Sequence, residues 1–324
     1  MTTYSNPMCL YTSVRFCDSA EKTHINYVPY KLQDWVDIDK LDFLQLAQNP
    51  YAIDYIDTHM SGETNEIIWS NLSNNPNGTR ILERDMSKID WNSLSMNPNA
   101  IRILEKNLDK VNWDFLSCNR SAIHLLEQNL DKINWVNISS NPCAISIIEK
   151  NLDKIDWLWL SENPNAIHIL KDNMDNIHWP SLSANPNAIE ILLNNPDKIN
   201  WAWLSGNINA ISILENNLDK IAWYRLSGNI NAINILKNNL DKINWGLLTI
   251  NPNAGELLKN NPDKINWDWI SENPAIFKLD YEAIKNRLTA RIEEELMMKC
   301  YHPDRLAYYL YKYNYDIGND DDYE

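Results

Sequence analysis

A tryptophan stands at every twenty-second position from 69 to 267: Trp69, Trp91, Trp113, Trp135, Trp157, Trp179, Trp201, Trp223, Trp245 and Trp267. A fixed period of this size marks an array of supersecondary units, each burying its apolar face on its neighbours rather than in a private core. The chain is 324 residues long and 44% hydrophobic, which supplies a sizeable core without division into ordinary domains. Only seven glycines are present, and that argues against propeller blades and Gly-rich linkers.

The units share the template W-x-x-L-S-x-N-P-N-A-I-x-I-L-E-x-N-L-D-K-I-N. In the copy that begins at Trp91, Asn97 has the character of an N-cap and Pro98 suits a first helical position, where its missing N–H costs nothing. Ala100, Ile101, Ile103 and Leu104 then line one helical face, with Arg102 and Glu105 outward, and Asn107 suits the helix end. Asp109 caps a single turn, and Asn112 is the N-cap of a second helix, WDFLS, presenting Trp113 and Leu116 three apart on one face. Each unit therefore reads as two short helices of roughly 6 and 10 residues. A leucine-rich-repeat strand is the competing reading of a 22-residue period, but the L-x-x-L-x-L stretch it needs does not occur.

An eleventh, earlier unit has Phe43 in the tryptophan position, and its 26-residue distance to Trp69 places an insertion around residues 61–66. The expected fold is an all-α, elongated solenoid of about eleven two-helix repeats over 31–276, roughly 100 Å long if straight. Residues 1–30 form a non-repeat arm, 277–317 a helical cap for the open face of the last repeat, and 318–324 an acidic disordered tail. Some copies depart from the template: Arg120, Ile208 and Ile230 replace the proline while the preceding asparagine stays, and Gly78 and Gly255 stand where Ala and Ile recur.

The formal net charge is −15 and the pI about 4.8, so polyanions such as nucleic acid and anionic membranes are poor partners. The one feature favouring RNA is a row of lysines, Lys88, Lys110, Lys132, Lys154, Lys198, Lys220, Lys242 and Lys264, each next to an acidic or small polar residue. Cys9, Cys17, Cys118, Cys143 and Cys300 are odd in number and scattered, which fits neither a disulfide framework nor a zinc site. With no apolar run of membrane length and no leader, the chain reads as soluble and intracellular, in a reducing compartment. No HExxH, GxGxxG, P-loop, GxSxG or CxxC pattern occurs, so no enzyme, cofactor or metal is expected.

The ten register tryptophans are expected to be a structural spine. Candidate partner-binding residues lie instead where the copies differ. The position two after the register tryptophan holds Ser93, Phe115, Asn137, Trp159, Ser181, Trp203, Arg225, Leu247 and Trp269, a variety that implies a face free of the core. A second variable stripe runs Arg102, His124, Ser146, His168, Glu190, Ser212, Asn234 and Glu256, from which His124 and His168 are the candidates. These two histidines are too far apart for one metal ion.

The repeat register, the entry segment LQDWVDIDKLDF and the exit segment CYHPDRLAYYLYKYNYDI resemble those of tandem-repeat proteins encoded by giant viruses of the mimivirus and large algal virus type. The resemblance spans about residues 31–317. It implies a viral repeat protein, in host cytoplasm or virion, and carries no catalytic residues over. Together these features point to a non-enzymatic scaffold or adaptor that binds a partner protein along a repeat surface. The alternatives are a structural component of a virion or viral factory, and RNA binding along the lysine row.

Overall fold

A computed structural model describes residues 29–59 and 65–300, with 302, 305, 306, 308 and 312. The arm up to residue 28, most of the insertion and the acidic tail lie outside the described residues. The chain divides into two compact bodies, one holding the repeats over 32–278 and the other joining residues near 29–31 to those from 279 onward. The repeats are all-α, as their period implies, and one unit can be read for the rest.

Asn112 caps the helix Trp113–Leu116 by accepting the Asp114 and Phe115 N–H groups, as its position before the tryptophan implies. Equivalent caps are Asp42, Asp90, Asn134, Asp156, His178, Asn200, Asn244 and Asn266. The second helix is shorter than expected: Ile101–Glu105 starts after Ala100, which offers no side-chain cap. Its remaining length is a separate 3₁₀ turn at the Leu-Asp-Lys segment, as in Leu130–Lys132. The asparagine before the proline is therefore not the N-cap of the second helix, although Asn273 in the last unit does cap the 3₁₀ turn Pro274–Ile276. Asn97 closes the tryptophan helix, and Pro98-Asn99 makes a turn between the two helices.

What that asparagine does instead organises the whole array. Asn163 is 1% exposed. Its Nδ2 donates to Ser139 O at 3.0 Å and Asn141 O at 3.1 Å in the preceding unit, and its Oδ1 accepts Asn165 N–H at 3.0 Å. The same three bonds are made by Asn75, Asn97, Asn119, Asn141, Asn185, Asn207, Asn229, Asn251 and Asn273. The first unit would have no predecessor in an open array. Yet Asn49 Nδ2 donates to Ser271 O and Asn273 O, both at 3.0 Å, which is the same rung made with the eleventh unit. The repeat array closes on itself.

Two further contacts recur at the same seam. Ser161 Oγ donates to Trp157 O and accepts the N–H of His178, at the end of the link to the next tryptophan helix, and Ser271 Oγ accepts Asp42 N–H at 2.9 Å. Lys132 Nζ lies 4.4 Å from the centroid of the ring of Trp113, nineteen residues earlier, and Lys40 Nζ lies 4.8 Å from that of Trp267. Beyond the eleventh unit, Gln33 N–H donates to Ile276 O and Asp280 N–H to Pro29 O, so β1 (Tyr30–Leu32) and β2 (Phe277–Leu279) pair antiparallel. The expected free ends do not exist in the repeat body. The last unit's stacking face is covered by the first repeat, which takes the role expected of residues 277–317. Those residues begin with β2 and the helix Tyr281–Cys300.

Two further expectations change. The fully buried spine consists of residues such as Leu160, Ala166 and Leu170, each at 0% exposure. The register tryptophans, Trp69 to Trp267, are half-buried, because each lies at a seam between units. Trp91, Trp113, Trp135, Trp201 and Trp223 each have over the ring the lysine that lies nineteen residues later, in the link to the next tryptophan helix. And Gly78 cannot be the alanine that recurs at its position, because a Cβ there would run into the Leu72 carbonyl.

Removing a ladder amide orphans two buried carbonyls and one N–H. Asn163→Ala is expected to cost about 3–5 kcal/mol in urea unfolding. Asn163→Asp keeps the acceptor but loses both donors, and is expected to cost more at pH 7 and to recover as the pH falls. Equal costs for the two would show that the side chain fills space and does not bond. Closure has its own signature in amide exchange. Protection is expected to be even from the first to the eleventh unit in the wild type, and to fail first at these two units in Asn49→Ala. Loss of protection centred elsewhere would remove the seam.

Candidate functional site

Neighbouring tryptophan helices pack directly on one another, whereas successive second helices stand further apart. In a closed array the tighter layer is the inner one, so the tryptophan helices form the inner wall. Their core-facing positions are three and four after the tryptophan, as with Leu160 and Ser161, both fully buried. At 100° per residue, the positions two and five after the tryptophan point the opposite way, towards the interior of the ring.

The structure thus brings Phe115, Trp159, Trp203, Arg225 and Trp269 onto one surface, the inner wall. Trp269 remains 44% exposed, and the other four are half-buried. Trp269 rests on the preceding unit: its Cζ3 lies 3.3 Å from where a Cβ on Gly246 would sit, so a side chain there would push the indole away. Arg225 stacks its guanidinium 3.8 Å from the centroid of the Trp203 ring in the preceding unit, a cation–π contact.

Two residues missed by the sequence reading share this surface. Glu162 and Glu272 lie five after Trp157 and Trp267, and so three after Trp159 and Trp269. The signal was the pair of matching tetrads Trp159-Leu160-Ser161-Glu162 and Trp269-Ile270-Ser271-Glu272, visible only once the inner face is known. Burial pushes the Glu162 carboxyl up to about 7, with Arg225 pulling the other way. Arg225 belongs to a unit three further on, and the two groups sense each other because both face a common interior. Burial also pushes the Glu272 carboxyl above the usual range.

His124 and His168 lie elsewhere. Both are exposed on the outer helices, and each ring pairs with the preceding unit, His124 Nε2 with Glu105 Oε1 and His168 Nε2 with Glu149 Oε1, both at 2.8 Å. The same outer rung joins Lys171 to Glu190 and Lys237 to Glu256. The outer variable stripe therefore serves contacts between units, and the histidines share no site with the tryptophans. The lysine row is likewise engaged. Lys110, Lys154, Lys220 and Lys242 lie 4.5–4.9 Å from tryptophan ring centroids, while Lys198 and Lys264 pair with Asp197 and Asp263.

Among the described residues, no group of three or more His, Cys, Asp or Glu is placed to hold a metal ion, and no helix is long and apolar enough to cross a membrane. The fold and the inner wall define a closed, all-α repeat protein with a constant frame and a variable interior surface. Protein-family models, curated proteins and solved structures yield no match to the chain.

Glu162 carries a pH dependence whose sign is fixed. Its folded value lies above the ordinary 4.5, so between 4.5 and about 7 the folded protein holds a proton that the unfolded chain has released. Stability from this group is full at low pH and falls as the pH rises through that window. Glu162→Gln is expected to match the wild type at pH 4.5 and to exceed it at pH 8 by about 1–3 kcal/mol in urea midpoints. No gain at pH 8 would mean a carboxylate that stays well solvated.

Proposed function

We propose that this protein is a non-enzymatic scaffold that binds a partner protein through its inner wall. The observation that carries the reading is the contrast between two sets of positions on the same short helices. The core-facing Leu and Ser recur from unit to unit. The inward position two after the tryptophan changes from Ser93 and Asn137 to Trp159, Trp203 and Trp269. Large aromatics left partly exposed on a rigid frame serve binding better than stability, because tryptophan contributes much contact area at little cost in side-chain entropy.

An origin in a giant virus, and with it a place in host cytoplasm or virion, belongs to the same proposal and is supported by the register resemblance. RNA binding draws less support: seven of the eight lysines lie over tryptophan rings or beside aspartates, on an acidic protein.

The test is affinity purification of the full chain from cells that express it, beside the Trp159→Ser/Trp203→Ser/Trp269→Ser variant, with bound proteins identified by mass spectrometry. These serines already stand at the same position in other units, so the frame is expected to fold. A partner retained by the wild type and depleted at least tenfold by the variant is expected. Equal recovery by both would move the binding surface off the inner wall.

A further inference from the structure

The inner wall already shows what kind of group its indoles hold. Trp203 is the one inward tryptophan whose following unit supplies a cation, Arg225, and the guanidinium lies on the ring at 3.8 Å. The unit after Trp159 offers Ser181 at the same position. The unit after Trp269 is, by closure, the first, which offers Gln45. Neither residue can stack a charge on the indole.

The carboxylates divide in the complementary way. Five residues after the register tryptophan, the unit of Trp203 has Gly206, with no acid to balance a further cation. The units of Trp159 and Trp269 have Glu162 and Glu272, one helical turn from the indole on the same inward face. Where the chain supplies its own cation, the acid is missing. Where the acid is present, no cation follows on the indole. An indole face beside a carboxylate is the arrangement that receives an alkylammonium or guanidinium group.

The size of the interior limits what can bring such groups. Eleven units at about 9 Å between helix axes give a circumference of about 100 Å, hence a radius of about 16 Å to the axes. Subtracting a helix half-width of about 5 Å leaves a bore about 20 Å across before the large side chains are counted. One extended or helical segment fits such a bore, and a folded domain does not.

We propose that Trp159 with Glu162, and Trp269 with Glu272, are two cation-receiving subsites, and that the occupant of the ring interior is a Lys- or Arg-bearing polypeptide segment. This rests on the protein-binding reading and names the chemistry of its partner. The upward shift of both carboxyls agrees with it, since burial favours the neutral form of each, Arg225 offsets this only in part at Glu162, and a bound cation would favour the ionised form.

The experiment is fluorescence anisotropy on the full chain with labelled twelve-residue peptides in which serine alternates with arginine, lysine or glutamate. Glu162→Gln/Glu272→Gln removes charge from the inner wall, and Glu127→Gln/Glu215→Gln removes the same charge from exposed outer positions. The arginine and lysine peptides are expected to bind and the glutamate peptide not to. The inner pair is expected to weaken binding at least tenfold, and the outer pair less than twofold. Equal weakening by both pairs would reduce the effect to attraction by a protein of charge −15 and overturn the subsites, as would no binding of either basic peptide. If basic peptides fail while the wild type still retains a partner that the triple-serine variant loses, the scaffold reading stands and the cation chemistry falls. Glutamine is close in shape to glutamate, so these variants are expected to keep the fold, checked by circular dichroism.

Discussion

One primary amide, used eleven times, holds the repeat body together. A carboxamide offers two donors and an acceptor on a flat, short side chain, and each ladder asparagine uses all three on backbone groups. Two of these bonds cross to the preceding unit and one stiffens its own turn. Burying so polar a group is costly unless it is satisfied, and here the satisfaction comes only from correct stacking. Apolar contacts between Leu160, Leu170 and their equivalents hold neighbours together with little preference for register. The amide specifies that register, and its match at Asn49 with Ser271 and Asn273 makes the last interface equivalent to the others.

The frame and the interior answer to different demands. Ser161 and its equivalents have one oxygen poised to donate to the carbonyl of the tryptophan in its own helix and to accept from the residue that precedes the next tryptophan helix, so few residues can replace them. Ala47, in the first unit, has no hydroxyl, and the helix after it begins early at Glu66. The inward positions bear no such duty. There the chain holds serine, asparagine, leucine, arginine and tryptophan on one backbone, and the stacking of Arg225 on Trp203 shows these side chains meeting across units. Chemistry can vary on this wall without disturbing the rungs behind it.

Much of this was legible in the sequence, and the gaps have identifiable causes. The period, the two helices and the cap at Asn112 follow from local chemistry. Asn-Pro opens many helices, so Asn97 has the look of a cap, yet the copies with Arg120, Ile208 and Ile230 keep the asparagine without the proline, which marks a duty of its own. Closure was also written in the chain: Asp39-Lys40-Leu41-Asp42 ahead of Phe43 repeats the link that elsewhere joins one unit to the next, as though a unit preceded it. Curvature was not legible. About 33° of turn per unit comes from the difference in spacing between two helical layers, a sum of small packing offsets that no single residue announces. Without curvature, neither the inner face nor the pairing of Trp159 with Glu162 is apparent.

The bond from Asn49 to the eleventh unit has a consequence for descent. An open solenoid can gain or lose a unit by recombination between near-identical copies, since every internal interface is conserved and only its length changes. A closed one is more constrained: an array of ten or twelve copies alters the turn each interface must make if the first and last amides are still to meet their carbonyls. Copy number, ordinarily the most labile property of a repeat gene, is here a structural parameter.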